Sequence, residues 1–420
     1  MAWPPPELAA RLAARLAARA RLVEPFAPHV DAALPWLAYA LLLALLPLVF
    51  PGGYALNLLA QMGIAVIACL SYNILLGQGG MLSFGHAVYT GLGAYAAIHL
   101  LAAGWGVPVS LLPLAGGAAA LAAAAALGWV CARHGGGVFA MMTLGMGEMV
   151  AAIALMFPAV FGGEAGVPAD RVTGEVWGIS FGPPAQMYAL AAAYAFACTA
   201  LMYAFTRTPL GRLLGAVRDS AERAEFIGCN PHRVRWLGFC VAGFFAGVAG
   251  ALAALLFEIV TPESLGAQRS GAYLLFVFLG GAGAFTGPML GGVLMVLATV
   301  WLSEITPAWT LYMGLAFLLM VMYAPGGLAS LLPGMQRGLA GALRRPQARH
   351  AALALAWAAL LAGLIALVEL LYRLQLAPAG QGSWALAGIS VNAHQPLPWL
   401  LAAAVAAAGG AAIAVMRRGK

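Results

Sequence analysis

Residues 236–258 read WLGFCVAGFFAGVAGALAALLFE, and the only charged side chain in this stretch is Glu258 at its end. An α-helix needs roughly 20 residues to cross the hydrocarbon core of a bilayer, so this stretch is long enough for one crossing. Similar apolar runs recur along the chain, separated by Gly, Pro or charged residues. The predicted spans are 33–50, 54–76, 86–104, 107–131, 138–159, 185–206, 236–258, 271–284, 288–305, 308–323, 350–372 and 397–416. The sequence therefore predicts an all-α integral membrane protein, a polytopic bundle of about 10–12 transmembrane helices with Gly-rich helix breaks.

The composition excludes the soluble globular class. Of 420 residues, 63% are hydrophobic and 8% are charged, and the mean hydropathy is +0.91. Soluble domains carry about 25% charged residues. A transmembrane β-barrel would show short alternating strands in place of these long apolar runs.

The residue patterns that metal sites and nucleotide sites require are missing from the sequence. The five cysteines are scattered singly, and the seven histidines show no metal-binding spacing. The only lysine is Lys420, whereas a phosphate-binding loop of the GxxxxGK[ST] type needs a lysine inside the motif. We therefore predict a chain that is not an enzyme and binds no cofactor, with any ATP hydrolysed by partner subunits.

Basic residues predict the orientation in the membrane, because Lys and Arg are retained on the cytoplasmic side. With the N-terminus inside, 18 of the 21 basic residues fall on the cytoplasmic side, and the exceptions are Arg171, Arg269 and Arg373. This distribution predicts that both termini are cytoplasmic. The net charge of +7 follows from this topology and does not indicate nucleic-acid binding.

Three regions are predicted along the chain. Residues 1–32 form a cytoplasmic Arg/Ala-rich helix, whose arginines lie too close to its leucines on a helical wheel for a membrane anchor. Residues 33–332 form the main transmembrane domain. Residues 333–420 form a C-terminal extension with two further transmembrane helices, for which the sequence indicates no role.

The longest polar segment on the predicted cytoplasmic side is residues 206–235, TRTPLGRLLGAVRDSAERAEFIGCNPHRVR. Its apolar residues recur at steps of three and four, which predicts a short amphipathic helix that begins at Pro209 and ends near Gly228. One interpretation is a solvated loop helix that only supplies positive charge. The other is a coupling helix that docks into a cytoplasmic partner, which its apolar face favours.

A Gly-rich stretch, GQGGMLSFGH at 77–86, interrupts two apolar runs. It is either a turn between two spans or a substrate-site element, in which Ser83 caps the helix that begins near His86. A second cluster, GGAGAFTGP at 280–288, repeats the pattern loosely in the second half of the chain. Close helix packing through small residues is the alternative explanation for that cluster. The substrate-path candidates in and beside the two clusters are Asn73, Gln78, Ser83, His86 and Thr286.

Glu148 lies several residues inside a predicted span. An ionisable residue at the bilayer centre costs about 2.5 to 3.5 kcal/mol, so it needs a partner or a wet path. Glu148 is therefore either an interfacial glutamate or a further substrate-path residue, near a substrate amine. Glu258, at the outer end of its span, is predicted to be interfacial.

Several segments resemble bacterial branched-chain amino acid ABC transporter permeases of the LivM type. The loop and the helix after it, TPLGRLLGAVRDSAERAEFIGCNPHRVRWLGFCVAGFFAGVAGALAA, carry one part of this resemblance. The remaining matching segments, SYNILLGQGGMLSFGHAVYTGLGAYAA, FAMMTLGMGEMV and FLGGAGAFTGPMLGGVL through MYAPGGL, occur in the family's order. The resemblance covers roughly residues 55–332.

This resemblance implies a subunit of a heteromeric importer in the bacterial inner membrane. Its partners would be a second permease subunit, two cytoplasmic ATPase subunits and a periplasmic substrate-binding protein. Glu222, Ala224 and Gly228 are similar to the E-x-A-x-x-x-G core of the coupling motif, although Arg223 stands where the family usually has an alanine. The resemblance assigns the following loop residues to the ATPase contact: Pro209, Gly211, Arg218, Asp219, Glu222, Ala224 and Gly228.

The leading hypothesis is therefore import of branched-chain or other apolar amino acids by alternating access. Import of urea or short amides is the alternative within the family. An ion-coupled secondary transporter with Glu148 as its relay, or a membrane scaffold that transports nothing, are alternatives from other classes.

Overall fold

The computed structural model describes residues 27–172, 180–324, 326–331, 348–376, 383–386, 389–392 and 395–418. Most of the predicted N-terminal helix, the centre of the loop 161–184 and residues 332–347 lie outside these ranges. The α-helices of six or more residues are α1 Ala27–Val49, α2 Gly53–Asn73, α3 Ala87–Ala102, α4 Leu112–Cys131, α5 Gly136–Met156, α6 Pro184–Arg207, α7 Pro209–Asp219, α8 Ala221–Phe226, α9 Pro231–Phe257, α10 Ala267–Gly280, α11 Thr286–Val296, α12 Trp309–Tyr323, α13 Ala348–Leu376 and α14 Pro396–Arg418. The strands are β1 Val167–Pro168, β2 Ile259–Val260, β3 Ser383–Leu386 and β4 Ile389–Asn392.

The polytopic all-α class predicted from the apolar runs is confirmed. Among the described residues, seven helices are long and apolar enough to cross a membrane, and four more apolar helices have 10–17 residues. The predicted span 271–284 is displaced, because its helix α10 begins at Ala267 and ends at Gly280. Helix α2 continues through a π-helical turn that ends at Gln78, close to the predicted end of this span at residue 76.

Helix α9, which contains the stretch quoted first, forms the centre of the bundle. It packs against α2, α3 and α4, and most of its residues are buried. The close approach depends on glycine: a Cβ on Gly250 would lie 1.7 Å from the Thr90 carbonyl oxygen of α3. Because backbone cannot move aside as a flexible side chain can, only glycine fits at this crossing.

At the end of the bundle where α9 finishes, Arg171 holds an irregular segment against the helices. Strand β1 pairs antiparallel with β2, and Arg171 donates from Nη1 to the carbonyl oxygens of Leu255 and Leu256 at 3.0 and 3.1 Å. Its Nε lies 3.5 Å from Glu258 Oε1. Arg171 therefore satisfies carbonyl groups left free at the C-terminal end of α9.

The C-terminal helices α13 and α14 pack on each other as an antiparallel pair, and β3 and β4 belong to the chain segment that joins them. Helix α13 is joined to the main bundle by Glu369, whose carboxylate accepts hydrogen bonds from the hydroxyls of Thr306 and Tyr312. A carboxylate within an apolar helix needs such donors, so this contact gives the extension a specific docking position.

Candidate functional site

Two regions of the main bundle are candidates for a functional site. One, called here the loop face, consists of α7, α8 and the Gly-rich segment 77–86. The other is a cavity between α2, α3, α9, α10 and α11, lined by the last third of α9. Because α9 begins beside α7 and α8, its lining residues lie roughly 30 Å along its axis from those two helices.

The segment predicted as one amphipathic helix forms two helices. Thr208 caps α7, since its Oγ1 accepts from Gly211 N at 3.2 Å, and Pro209 occupies the first turn. At Ser220 the backbone turns extended (φ −163°), and the Ser220 Oγ accepts from Arg223 N to start α8. The prediction of a single helix was therefore wrong at Ser220, where a residue suited to capping interrupts the apolar pattern. Gly228 follows α8 with a left-handed φ of +86°.

The apolar face of α7 is covered by the protein itself. Leu214 is fully buried, and a Cβ on Gly238 of α9 would lie 2.9 Å from its side chain. This face therefore does not by itself indicate a second subunit, contrary to the sequence-based reasoning. The uncovered apolar side chains are those of Phe226 and Ile227, which are 90% and 72% exposed.

Arg218 connects α7 to the first Gly-rich segment. Its Nη1 donates to the Gly77 carbonyl oxygen at 2.5 Å, and its Nη2 lies 3.0 Å from Asp219 Oδ1. Gly80 has φ +61°, and a Cβ there would lie 2.5 Å from Arg218 Cγ. The Arg218 side chain therefore lies across the glycine turn.

The other predicted ATPase-contact residues differ in exposure. Glu222 and Asp219 are exposed, as is Pro209, whereas Gly211 and Ala224 are buried. A Cβ on Gly211 would lie 2.3 Å from the Phe205 carbonyl oxygen, so the close turn between α6 and α7 requires glycine at this position. The role of these residues in an ATPase contact stays a prediction.

After the π-helical turn that ends at Gln78, the first Gly-rich segment continues as non-helical backbone, with Ser83 and His86 buried inside the bundle. Tyr72 Oη donates to the Ser83 carbonyl oxygen at 2.8 Å, and Ser71 Oγ lies 2.9 Å from His86 Nε2. Ser83 Oγ makes no hydrogen bond, so Ser83 does not cap α3 as predicted. The first free N–H of α3, at Ala87, instead donates to Ser270 Oγ of α10 at 2.9 Å. Irregular backbone at this position is tolerated because protein surrounds it.

The two Gly-rich clusters meet in the structure. A Cβ on Gly77 would lie 2.5 Å from the Ala282 carbonyl oxygen and 2.4 Å from Asn73 Oδ1. Asn73 is buried, Gln78 is half-buried, and Thr286, at the start of α11, is exposed. The sequence repeat thus corresponds to a direct contact between the halves, and this contact lies next to Arg218.

Glu148 lies on α5 and interacts with the start of α10. Its Oε1 accepts from Ala267 N at 3.2 Å, at a helix whose preceding residue, Gly266, has no side chain to cap it. A carboxylate at this position is favoured by the partial positive charge of the helix N-terminus. Glu148 therefore has a structural partner 119 residues away, which sequence reasoning did not find.

The cavity has a volume of about 730 Å³. Its polar lining residues include Gln61, Thr90, Glu263, Gln268, Arg269 and Tyr273. Arg269 Nε donates to Tyr273 Oη at 3.4 Å, and the guanidinium carbon lies 5.8 Å from the centre of that ring. None of the six predicted substrate-path residues lines this cavity. Two of them lie beside it: the His86 ring is 6.4 Å from that of Tyr273, and Glu148 bonds to Ala267, the residue before Gln268.

The sequence contained one signal for the cavity. Arg269 and Arg171 are both exceptions to the distribution of basic residues that predicts the topology. In the structure Arg171 holds the end of α9 and Arg269 lines the cavity. In both cases an arginine outside the segments predicted to be cytoplasmic has a specific structural position.

Comparison with known proteins gives consistent matches. The family model described as the permease component of the branched-chain amino acid transport system matches residues 54–326. The high-affinity branched-chain amino acid transport system permease protein LivM of Escherichia coli K12 is 28% identical over 288 residues, which cover 63% of this chain and 67% of LivM. The corresponding protein LivH of the same organism is 25% identical over 260 residues, covering 56% of this chain and 80% of LivH. No solved structure matches this chain.

Proposed function

The chain belongs to the branched-chain amino acid transport permease family, and we propose that it is the membrane-spanning subunit of an ATP-driven importer for branched-chain or other apolar amino acids. Two kinds of permease, LivM and LivH, are similar to this chain. The proposed assembly therefore pairs it with a second permease chain. Two ATPase subunits and a substrate-binding protein complete it, because the only lysine of the chain, Lys420, cannot form a phosphate-binding loop.

The observation that carries this proposal is the hydrogen bond from Arg218 to the Gly77 carbonyl oxygen. It joins a surface loop helix to the place where the two Gly-rich clusters meet. When an ATPase subunit moves α7 and α8, this bond transmits the displacement to the end of α2. Glycine turns absorb changes in backbone dihedral angles at little steric cost, so this segment is suited to be the hinge.

The exposed side chains of Phe226 and Ile227 support an ATPase contact on the same face. They follow the acidic and basic residues of α8, so a partner groove with an apolar floor and a charged rim would fit them. This arrangement also predicts that the loop face is cytoplasmic, in agreement with the distribution of arginines.

Transport measurements distinguish this proposal from an ion-coupled transporter and from an importer of urea or short amides. Proteoliposomes should contain this chain with the proposed second permease and ATPase subunits. Leucine uptake should then require both ATP and the binding protein. Uptake of leucine without either would contradict the proposal and favour an ion-coupled transporter. Uptake of urea but not leucine would instead support the other substrate class within the family.

The binding protein gives a second measurement of the substrate. Thermal-shift assays against leucine, other amino acids and urea identify which compound raises its melting temperature, since a ligand that binds only the folded state stabilises it. A shift with branched-chain amino acids is expected.

A further inference from the structure

We propose that the cavity is a transient binding site within this subunit for the zwitterionic form of an apolar amino acid. The Arg269 guanidinium would bind the carboxylate, the Glu263 carboxylate would bind the ammonium group, and the apolar wall would accept the side chain. This inference rests on the proposed transport of amino acids and assigns that transport a site in this chain.

Arg269 is a cation whose partners are incomplete. In the described part of the chain, no carboxylate oxygen lies within 4.0 Å of its guanidinium nitrogens, and its contacts are with the Tyr273 hydroxyl and ring. The side chain is exposed, because it faces the cavity. At the same end of the bundle Arg171 is paired with Glu258 and four carbonyl oxygens. Arg269 therefore differs from Arg171 in having no carboxylate partner in the described residues.

An arginine among membrane helices is costly unless an anion or dipoles accompany it, and its planar fork fits a carboxylate in a bidentate manner. Since the described residues supply no anion to Arg269, the carboxylate of a ligand would provide the missing anionic partner.

Glu263 supplies the opposite charge in the same cavity. It lies in the 3₁₀ turn Pro262–Leu265, its side chain is exposed, and no arginine or lysine of the described residues pairs with it. One cation and one anion make the lining electrically balanced, which matches a zwitterion.

The rest of the lining suits an apolar side chain. Ile64 and Ala65 of α2, Ala253 of α9 and Val296 of α11 contribute to the wall. The volume of about 730 Å³ lies within the usual range of roughly 300–1,000 Å³ for small-molecule sites. The cavity therefore has room for an amino acid together with some water.

The test uses the complete transporter in proteoliposomes, with saturating ATP, binding protein and radiolabelled leucine. The quantity measured is leucine taken up per ATP hydrolysed, because a folding or assembly defect lowers both rates while loss of the site lowers only transport. The variants are Arg269→Gln, Arg269→Lys and Glu263→Gln. The matched control is Arg133→Gln, at an exposed arginine between α4 and α5.

We expect Arg269→Gln to lower leucine transported per ATP by about tenfold or more, since a charge-assisted pair is lost. Arg269→Lys retains the cation and should lose less, and Arg133→Gln should equal the unmodified protein. If Arg269→Gln and Arg133→Gln transport the same amount of leucine per ATP, the inference is overturned. Leucine import by the unmodified protein would still support the proposed function in that case. If Arg269→Gln does not assemble, Glu263→Gln decides, and an unchanged ratio for it overturns the inference. Absence of leucine import by the unmodified transporter overturns the proposed function itself.

Discussion

Replacing Arg218 with glutamine should uncouple transport from ATP hydrolysis, because it removes the bond between α7 and the Gly77 carbonyl oxygen. A hydrogen bond from a charged donor contributes about 1.5–3 kcal/mol. The Arg218 side chain is 44% exposed, so solvent reduces this to about 1 kcal/mol. A difference of about 1 kcal/mol is roughly a fivefold change in an equilibrium constant, and we expect a similar decrease in leucine transported per ATP.

The assay for Arg218→Gln compares ATP hydrolysis and leucine uptake in the same proteoliposomes. Arg212→Gln is the matched control, because Arg212 lies on the same helix and its side chain is exposed. Hydrolysis by Arg218→Gln should stay near that of the control while uptake falls. If both variants transport the same amount of leucine per ATP, then the bond to Gly77 does not carry the coupling and the reasoning is refuted.

Three further substitutions test other parts of the structure. Gly250→Ala places a methyl group 1.7 Å from a backbone oxygen of α3 and should lower the free energy of unfolding by about 1–3 kcal/mol, measured as a lower melting temperature in detergent. The control Gly145→Ala, whose methyl group would meet open space, should leave the melting temperature unchanged. Phe226→Ala should weaken binding of the isolated ATPase subunit by about ten- to a hundredfold, measured by sedimentation with permease vesicles, and an unchanged affinity would remove this side chain from the proposed contact. Gly228→Pro should abolish coupled uptake, since proline cannot adopt the φ of +86° and lacks the N–H that bonds to a carbonyl of α8; normal uptake would show that this turn is dispensable.

The helices and the loop helix could be predicted because their signals are local. The length of an apolar run sets whether it can cross a bilayer, and Thr208, Pro209 and Gly228 mark helix ends through their own side chains and dihedral angles. The break at Ser220 was missed although its signal is also local, because apolar periodicity on both sides suggested continuity.

The contacts that define the candidate site are not local. Ser270 bonds to Ala87 across 183 residues, and Glu148 bonds to Ala267 across 119. Which residues meet at such distances depends on how closely and at what angle the helices cross, and that is fixed by glycine contacts spread over the whole bundle.

The sequence by itself determined that this protein is a polytopic membrane protein of the branched-chain amino acid permease family, with a polar loop helix and two Gly-rich clusters. Only the tertiary structure decided that Arg218 reaches Gly77, that the two clusters touch each other, and that Arg269 faces a cavity lined by residues of six helices. The physical reason is that composition and periodicity report the environment of each residue, whereas a site requires side chains from separate helices to lie within a few ångströms of one another.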